Sequence, residues 1–121
     1  MQNVPSPEEV RALIRPLDER DRRVLGGLVA LMITEPNKVR DQEWMSEKFV
    51  HVAVVAHGFD DQGEASSEDV ALVQDYAQAR MPDIVLAAAN LFVRVAQDLE
   101  SRPEKPTFDE ARAVVREYLQ N

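Results

Sequence analysis

Residues 6–9 read Ser-Pro-Glu-Glu, and this stretch is the first of three similar helix starts along the chain. The other two are Ser-Ser-Glu-Asp at residues 66–69 and Thr-Phe-Asp-Glu at residues 107–110. Each begins with a hydroxyl side chain that can accept a hydrogen bond from a backbone N–H of the first helical turn. An acid three positions later can bond back to the cap residue and complements the positive end of the helix dipole. The sequence therefore predicts a mostly helical protein.

Apolar residues at helical spacing extend from these starts. Val10 and Ile14 begin the first such stripe, and comparable stripes recur along the chain. Proline and glycine mark the helix ends, because Pro36 cannot continue a helix, Gly58 is a favourable C-terminal stop, and Met81-Pro82 predicts a tight corner. These signals predict helices at about residues 7–15, 18–35, 67–80, 82–100 and 107–119, and a further helix that begins near residue 37 or residue 41 and ends at residue 57.

The helix predicted at residues 82–100 is apolar on nearly all sides, which is typical of a central helix or of an oligomer interface. The chain has 121 residues, close to the commonest domain size. We therefore expect an all-α fold, a single-domain irregular bundle of five to six helices around this central helix. Residues 49–55 are rich in β-branched side chains and could instead form a buried strand. A helix is favoured there because residues 39–48 have helical composition and no second strand is evident.

The composition excludes several kinds of site. The chain has no cysteine, so disulfides, thiolate metal sites and a cysteine nucleophile are excluded, and a reducing, cytoplasmic setting is expected. The first residues lack the basic and apolar pattern of a secretory signal. The longest apolar stretch, residues 84–93, is far shorter than the ~20 residues that cross a bilayer, so we expect no membrane insertion.

Charge is unevenly distributed along the chain. The net charge is −8; residues 1–58 hold eight Lys/Arg and nine Asp/Glu, a net of −1, and residues 59–121 hold six and thirteen, a net of −7. Direct nucleic-acid binding is disfavoured by this balance. The acidic residues are either a solvated face or a surface that docks a basic partner. The candidate interface residues in this stretch are Asp60, Asp61, Glu64, Glu68 and Asp69.

Catalytic and metal-binding patterns are absent from the sequence. His51 and His57 are six residues apart, about 120° around a helix, so they cannot ligate one metal as a pair four apart does. The acidic segment after residue 57 has Gly58 where a calcium loop needs its first carboxylate. Gly26-Gly27 is not followed by the Lys-Ser/Thr of a phosphate-binding loop. We therefore expect no catalytic residue, metal or cofactor, and predict that the protein is not an enzyme.

Asn90 interrupts the apolar helix predicted at residues 82–100, and two charged residues follow it at the same spacing. Asn90, Arg94 and Asp98 are four residues apart and therefore align on one face. They form either a water-exposed stripe or a polar patch that fixes register within an interface. Asn90 and Arg94 are accordingly further candidate interface residues.

Residues 17–25, Leu-Asp-Glu-Arg-Asp-Arg-Arg-Val-Leu, resemble the opening helix of the DNA-binding region of bacterial sigma factors and related helix-turn-helix regulators. The resemblance covers nine residues and implies that a turn and a recognition helix follow. The next residues, Gly-Gly-Leu-Val at 26–29, instead continue the apolar helix. We therefore do not assign the chain to that family.

The leading functional hypothesis is a non-enzymatic helical interaction protein, a small subunit, adaptor or inhibitor of a cytoplasmic protein assembly. A protein partner is expected, and the apolar helix surface also predicts a homo-oligomer. The alternative is a regulator linked to nucleic acid, either an acidic inhibitor that imitates phosphates or a weak DNA binder. A third hypothesis is an enzyme with a site between helices.

Overall fold

The computed structural model describes residues 4–58, 67–100, 104 and 106–120, and within them it contains helices and no strand. The five α-helices are α1 (Pro7–Ile14), α2 (Glu19–Thr34), α3 (Gln42–Ala56), α4 (Ser67–Leu99) and α5 (Phe108–Leu119), with a 3-10 turn at Pro36–Lys38. This confirms the all-α prediction, and residues 49–55 are helical, as favoured. No helix in these described ranges is both long and apolar enough to cross a membrane.

The predicted helix starts are confirmed where the structure describes them. The Ser6 hydroxyl accepts from the Glu9 backbone N–H at 3.2 Å, and the Thr107 hydroxyl accepts from that of Glu110 at 3.2 Å. Helix α2 begins with a reciprocal cap, in which the Asp18 carboxylate accepts from the Asp21 N–H at 2.8 Å and the Asp21 carboxylate accepts from the Asp18 N–H. Residue 66 lies outside the described residues, and α4 begins at Ser67. At the end of α3, Gly58 adopts a left-handed φ of 80°, as a C-terminal stop requires.

The predicted corner at Met81-Pro82 is wrong, because α4 continues through Pro82 as a single helix. Proline removes one backbone hydrogen bond, but contacts on both sides of it hold the helix together. On the N-terminal side of the proline, Arg80 donates a hydrogen bond to Asp21 of α2. Arg80 also pairs with Asp83, on the other side of the proline, at 3.2 Å. The next residue, Ile84, is fully buried. Tertiary packing therefore overrides the local signal, and one helix replaces the two that were predicted.

Two helices occupy the middle of the bundle. Helix α2 packs against α3, α4 and α5, and α4 contacts each of the other four helices. The fully buried side chains of Leu25, Leu28, Phe49, Ile84 and Leu91 come from these elements. The C-terminal half of α4 thus shares the central position with α2. Leu72 on α4 and Phe108 on α5, by contrast, lie on the outer surface, with 51% and 37% of the side chain exposed.

Two adjacent glycines let neighbouring helices approach α2 closely. A Cβ atom added at Gly26 would lie 2.9 Å from Leu119 Cδ1 of α5, and one added at Gly27 would lie 2.8 Å from Val52 Cγ1 of α3. Both distances are shorter than real Cβ contacts. The glycine pair therefore allows α5 and α3 to approach α2 closely on two sides.

Candidate binding groove

An open groove of about 940 Å³ lies between α3 and α5. Both helices pack on α2, but they make almost no contact with one another, so the space between them above α2 stays open. The groove is lined by small and apolar side chains from all three helices, and also by charged and polar side chains. Its apolar part includes Gly26, Gly27, Leu31, Val52, Val55 and Leu119.

Two large apolar side chains stand exposed on opposite walls of the groove. Val55 on α3 is 55% exposed, and Phe108 at the start of α5 is 37% exposed. Isolated exposed apolar residues are ordinary on protein surfaces, but a pair flanking an apolar trough is typical of a binding site. The position of these two residues therefore makes the groove the candidate functional site.

Four arginines line the groove, Arg22 and Arg23 from α2 and Arg112 and Arg116 from α5. Arg23 forms an exposed ion pair with Glu19 at 2.7 Å, and Glu19 is the one acid among the described residues that line the groove. Arg112 and Arg116 are both exposed, and no carboxylate of the described residues lies within ion-pair distance of either. The groove is thus locally basic in a chain whose net charge is −8.

Arg22 of α2 contacts the C-terminal ends of α1 and α5 beside the groove. Its guanidinium donates to the carbonyl oxygen of Arg15 at 3.2 Å, and more weakly to those of Ile14 and Leu119, each at 3.5 Å. These carbonyls lie at the C-terminal ends of α1 and α5, where a cation complements the helix dipole. Arg22 therefore fixes both helix ends against α2, and its role is positional.

A buried carboxylate joins α2 to α4. Asp21 is only 2% exposed, and its carboxylate accepts from the Tyr76 hydroxyl at 2.7 Å and from Arg80 Nη2 at 2.9 Å and Nε at 3.2 Å. Burial alone would raise the pKa of Asp21, but the hydrogen bonds from Tyr76 and Arg80 outweigh it and lower the pKa. Burial and the bond to Asp21 together raise the pKa of Tyr76. Asp21 is therefore ionised and fully engaged, which suits a structural role.

Sequence reasoning missed this network. The available signal was the three-residue spacing of Asp18 and Asp21. This is the spacing of a reciprocal N-cap, in which the second acid accepts a hydrogen bond from the backbone N–H of the first. That signal indicates where α2 begins. It does not show that the same acid meets Tyr76 and Arg80, which lie more than fifty residues further along the chain.

A second hydrogen-bond network is centred on one carboxylate and contains the predicted residue Arg94. Arg94 Nη2 lies 2.7 Å from Asp98 Oδ1, and the Tyr118 hydroxyl of α5 donates to Asp98 Oδ2 at 2.6 Å. The guanidinium of Arg11 from α1 lies 5.6 Å from the centre of the Tyr118 ring, within cation–π range. Burial and the bond to Asp98 raise the pKa of Tyr118 to about 12. Arg94 thus takes part in an intramolecular contact among α1, α4 and α5.

The remaining predicted interface residues do not come together in one place. Asn90 is half-buried, and its side-chain amide donates to the Leu86 carbonyl oxygen at 2.9 Å. In the first turn of α4, Glu68 is exposed and Asp69 is half-buried. The predicted residues Asp60, Asp61 and Glu64 lie outside the described residues.

The two histidines are also separate. His51 lines the groove, whereas the His57 ring packs edge-on against Tyr76 with centroids 4.8 Å apart, and its Nδ1 lies 2.7 Å from the Ala53 carbonyl oxygen. Within the described ranges, no group of three His, Asp or Glu side chains is arranged to hold a metal ion. The expected absence of a metal stays a prediction.

The groove combines apolar lining, two exposed apolar side chains and two arginines, Arg112 and Arg116, that have no ion-pair partner among the described residues. Such a surface can take up an apolar segment that also carries negative charge. Comparisons with protein-family models, curated proteins and solved structures find no match to this chain.

Proposed function

We propose that this protein is a non-enzymatic interaction protein that binds a helix of a partner protein in the groove between α3 and α5. The observation that carries the proposal is the open trough above α2 with Val55 and Phe108 exposed on its two walls. The axes of packed helices lie about 8–10 Å apart. A groove between two helices, over a third, can therefore accommodate another helix.

The energy of such binding would come from apolar burial. Covering exposed apolar surface contributes about 25 cal/mol for each Å² removed from water. The arginines at the rim would contribute mainly to orientation and to the choice of partner, because exposed charge pairs are individually weak. A cytoplasmic setting, without cofactor or direct nucleic-acid contact, accompanies this proposal on the grounds of the cysteine-free and acidic composition.

A single substitution on the groove wall tests the proposal. Val55→Asp places a charge on the exposed wall, and Leu86→Asp is the matched control, because Leu86 is 56% exposed on α4 and does not line the groove. Tagged wild-type and variant proteins are used to capture partners from a lysate of the native host. We expect the wild type and Leu86→Asp to retain one specific protein that Val55→Asp loses. Retention of the same proteins by all three would contradict the proposal.

The second candidate is an acidic inhibitor of a nucleic-acid-binding protein. It is favoured by the net charge of −7 over residues 59–121, thirteen acids against six bases, and by the exposure of Glu68 and Asp75 on α4. Binding of that kind must weaken steeply with salt. Neutralising Asp60, Asp61, Glu64, Glu68 and Asp69 together would then abolish capture of a basic partner while Val55→Asp would not. The opposite pattern supports the groove.

A further inference from the structure

We propose that the groove binds a second copy of this chain, through an acidic stripe at the start of α4. The acidic stripe consists of Glu68, Leu72 and Asp75. This inference rests on the proposed function, because it assigns an occupant to the same groove.

The acidic stripe lies on the outer face of α4. Its residues are spaced by four and three positions, so they align along one side of the helix. All three are exposed, whereas Val73 and Ala77 are buried on the core side. Leu72 is the centre of the stripe and has a carboxylate about one turn away on either side. This is an apolar anchor flanked by negative charge.

The groove offers the complementary arrangement. Arg112 and Arg116 are one turn apart on α5, about 6 Å along its axis, and the two carboxylates of the stripe are about 10 Å apart along α4. Long arginine side chains can span the difference. The exposed side chains of Val55 on α3 and Phe108 on α5 line the same groove, and Leu72 would pack against them. Within the described part of the chain, neither arginine and neither stripe carboxylate has an ion-pair partner.

Net charge opposes self-association, so the contact must depend on local complementarity. Two chains of net charge −8 repel one another, but beyond about 8 Å this repulsion is largely screened at physiological ionic strength. Arginine–carboxylate contacts at short range are screened much less. The groove and the acidic stripe are different surfaces. One copy can therefore place its stripe in the groove of a second copy while its own groove binds the stripe of another. Two such contacts close a symmetric dimer, and contacts made in one direction only give an open chain of copies.

Charge reversal on each surface tests this assignment. The full chain, its Arg112→Glu/Arg116→Glu variant and its Glu68→Arg/Asp75→Arg variant are compared by sedimentation velocity from micromolar to several hundred micromolar. We expect the wild type to associate with rising concentration and each reversed variant to remain a monomer. Mixing the two variants in equal amounts should restore association, because each then offers the surface that the other lacks. The control Arg20→Glu/Arg40→Glu carries the same charge change on exposed arginines outside the groove and should associate like the wild type.

A monomeric wild type, reversed variants that still associate, or a mixture of folded variants that stays monomeric would each overturn the inference. If either reversed variant loses its helical circular dichroism, Leu72→Asp takes its place, and association by this folded variant also overturns the proposal. The proposed function is judged separately: a monomeric wild type whose Val55→Asp variant loses a partner in lysate retains the groove as a binding site for another protein.

Discussion

The phenolic oxygen of Tyr76 lies 2.7 Å from a carboxylate oxygen of Asp21, and this bond joins α4 to α2 inside the bundle. Tyr118 repeats the arrangement at 2.6 Å from Asp98, where it joins α5 to α4. These are the only two tyrosines of the chain. Each phenol is therefore held protonated by a neighbouring negative charge, and the ionisation of either tyrosine would place two negative charges in contact.

The tyrosines should resist ionisation in the folded protein. The pKa of Tyr76 is raised and that of Tyr118 is raised to about 12, against about 10 in an unfolded chain. Both pKa values are higher in the folded protein than in the unfolded chain. The two tyrosines therefore stabilise the fold fully below pH 10, and this stabilisation is lost as the pH rises through their pKa values in the folded protein. We expect tyrosinate absorbance to stay near zero at pH 10–11 in native buffer. The same protein in denaturant should ionise near pH 10; identical curves would contradict the structure.

Breaking the buried ion pair should cost far more than breaking an exposed one. Arg80→Met removes the cation that pairs with the buried Asp21 carboxylate, and we expect a loss of about 2 to 3 kcal/mol in the free energy of unfolding, since Arg80 is itself about one-third exposed. Arg23→Met removes the exposed pair with Glu19 and should cost less than about 1 kcal/mol. Urea unfolding at pH 7 measures both. Equal losses would show that Asp21 is not buried as described.

The two glycines of α2 should respond differently to alanine. Alanine favours a helix over glycine by about 1 kcal/mol, but the added methyl group at residue 27 meets the branched side chain of Val52, which cannot turn aside easily. We expect Gly27→Ala to lower the free energy of unfolding by about 1 to 2 kcal/mol. Gly26→Ala meets only the terminal methyl group of Leu119 and should change stability by less than about 0.5 kcal/mol.

A double substitution checks the cause. In a Val52→Ala background the space beside residue 27 is open, so Gly27→Ala should become neutral or stabilising. The double variant should then lose less stability than the sum of the losses of the two single variants. If Gly27→Ala costs the same with and without Val52, the close approach of α3 is not the reason for the glycine.

Removing the proline inside α4 should stabilise the protein. Pro82→Ala restores a backbone N–H in the middle of a continuous helix, and Pro82 is exposed, so little packing is lost. We expect a gain of about 1 to 3 kcal/mol, measured by urea unfolding with circular dichroism. A loss of stability would indicate that the chain needs a break at residue 82, as the local sequence predicts.

The helix starts could be predicted because their cause is local. The hydroxyl caps at Ser6 and Thr107 bond to backbone three residues away, so the sequence contains both partners within one turn. The corner at Pro82 was a wrong prediction for the opposite reason. What holds α4 together there is the contact of Arg80 with Asp21, fifty-nine positions away in sequence.

The groove could be predicted only in part. A basic pole formed by Arg22, Arg23 and their neighbours is visible in the sequence, as is the glycine pair beside it. Arg112 and Arg116 join that pole only when α5 lies along α2, and no local pattern specifies which face of α2 receives α5. Asn90 and Arg94 illustrate the same limit, because their spacing predicts alignment but not that Tyr118 supplies the partner for Asp98.

The packing of α5 on α2 also has a consequence during synthesis. Arg22 and the Leu119 carbonyl that it contacts are 97 residues apart, so α2 leaves the ribosome long before the helix that covers its glycine-containing side. At about 5–20 residues per second, that delay is roughly 5 to 20 s. Over this interval the nascent chain presents an uncovered apolar helix face to the cell. Chaperones that recognise such faces would meet this protein before it is complete, and its yield in cells would depend on how soon α5 arrives.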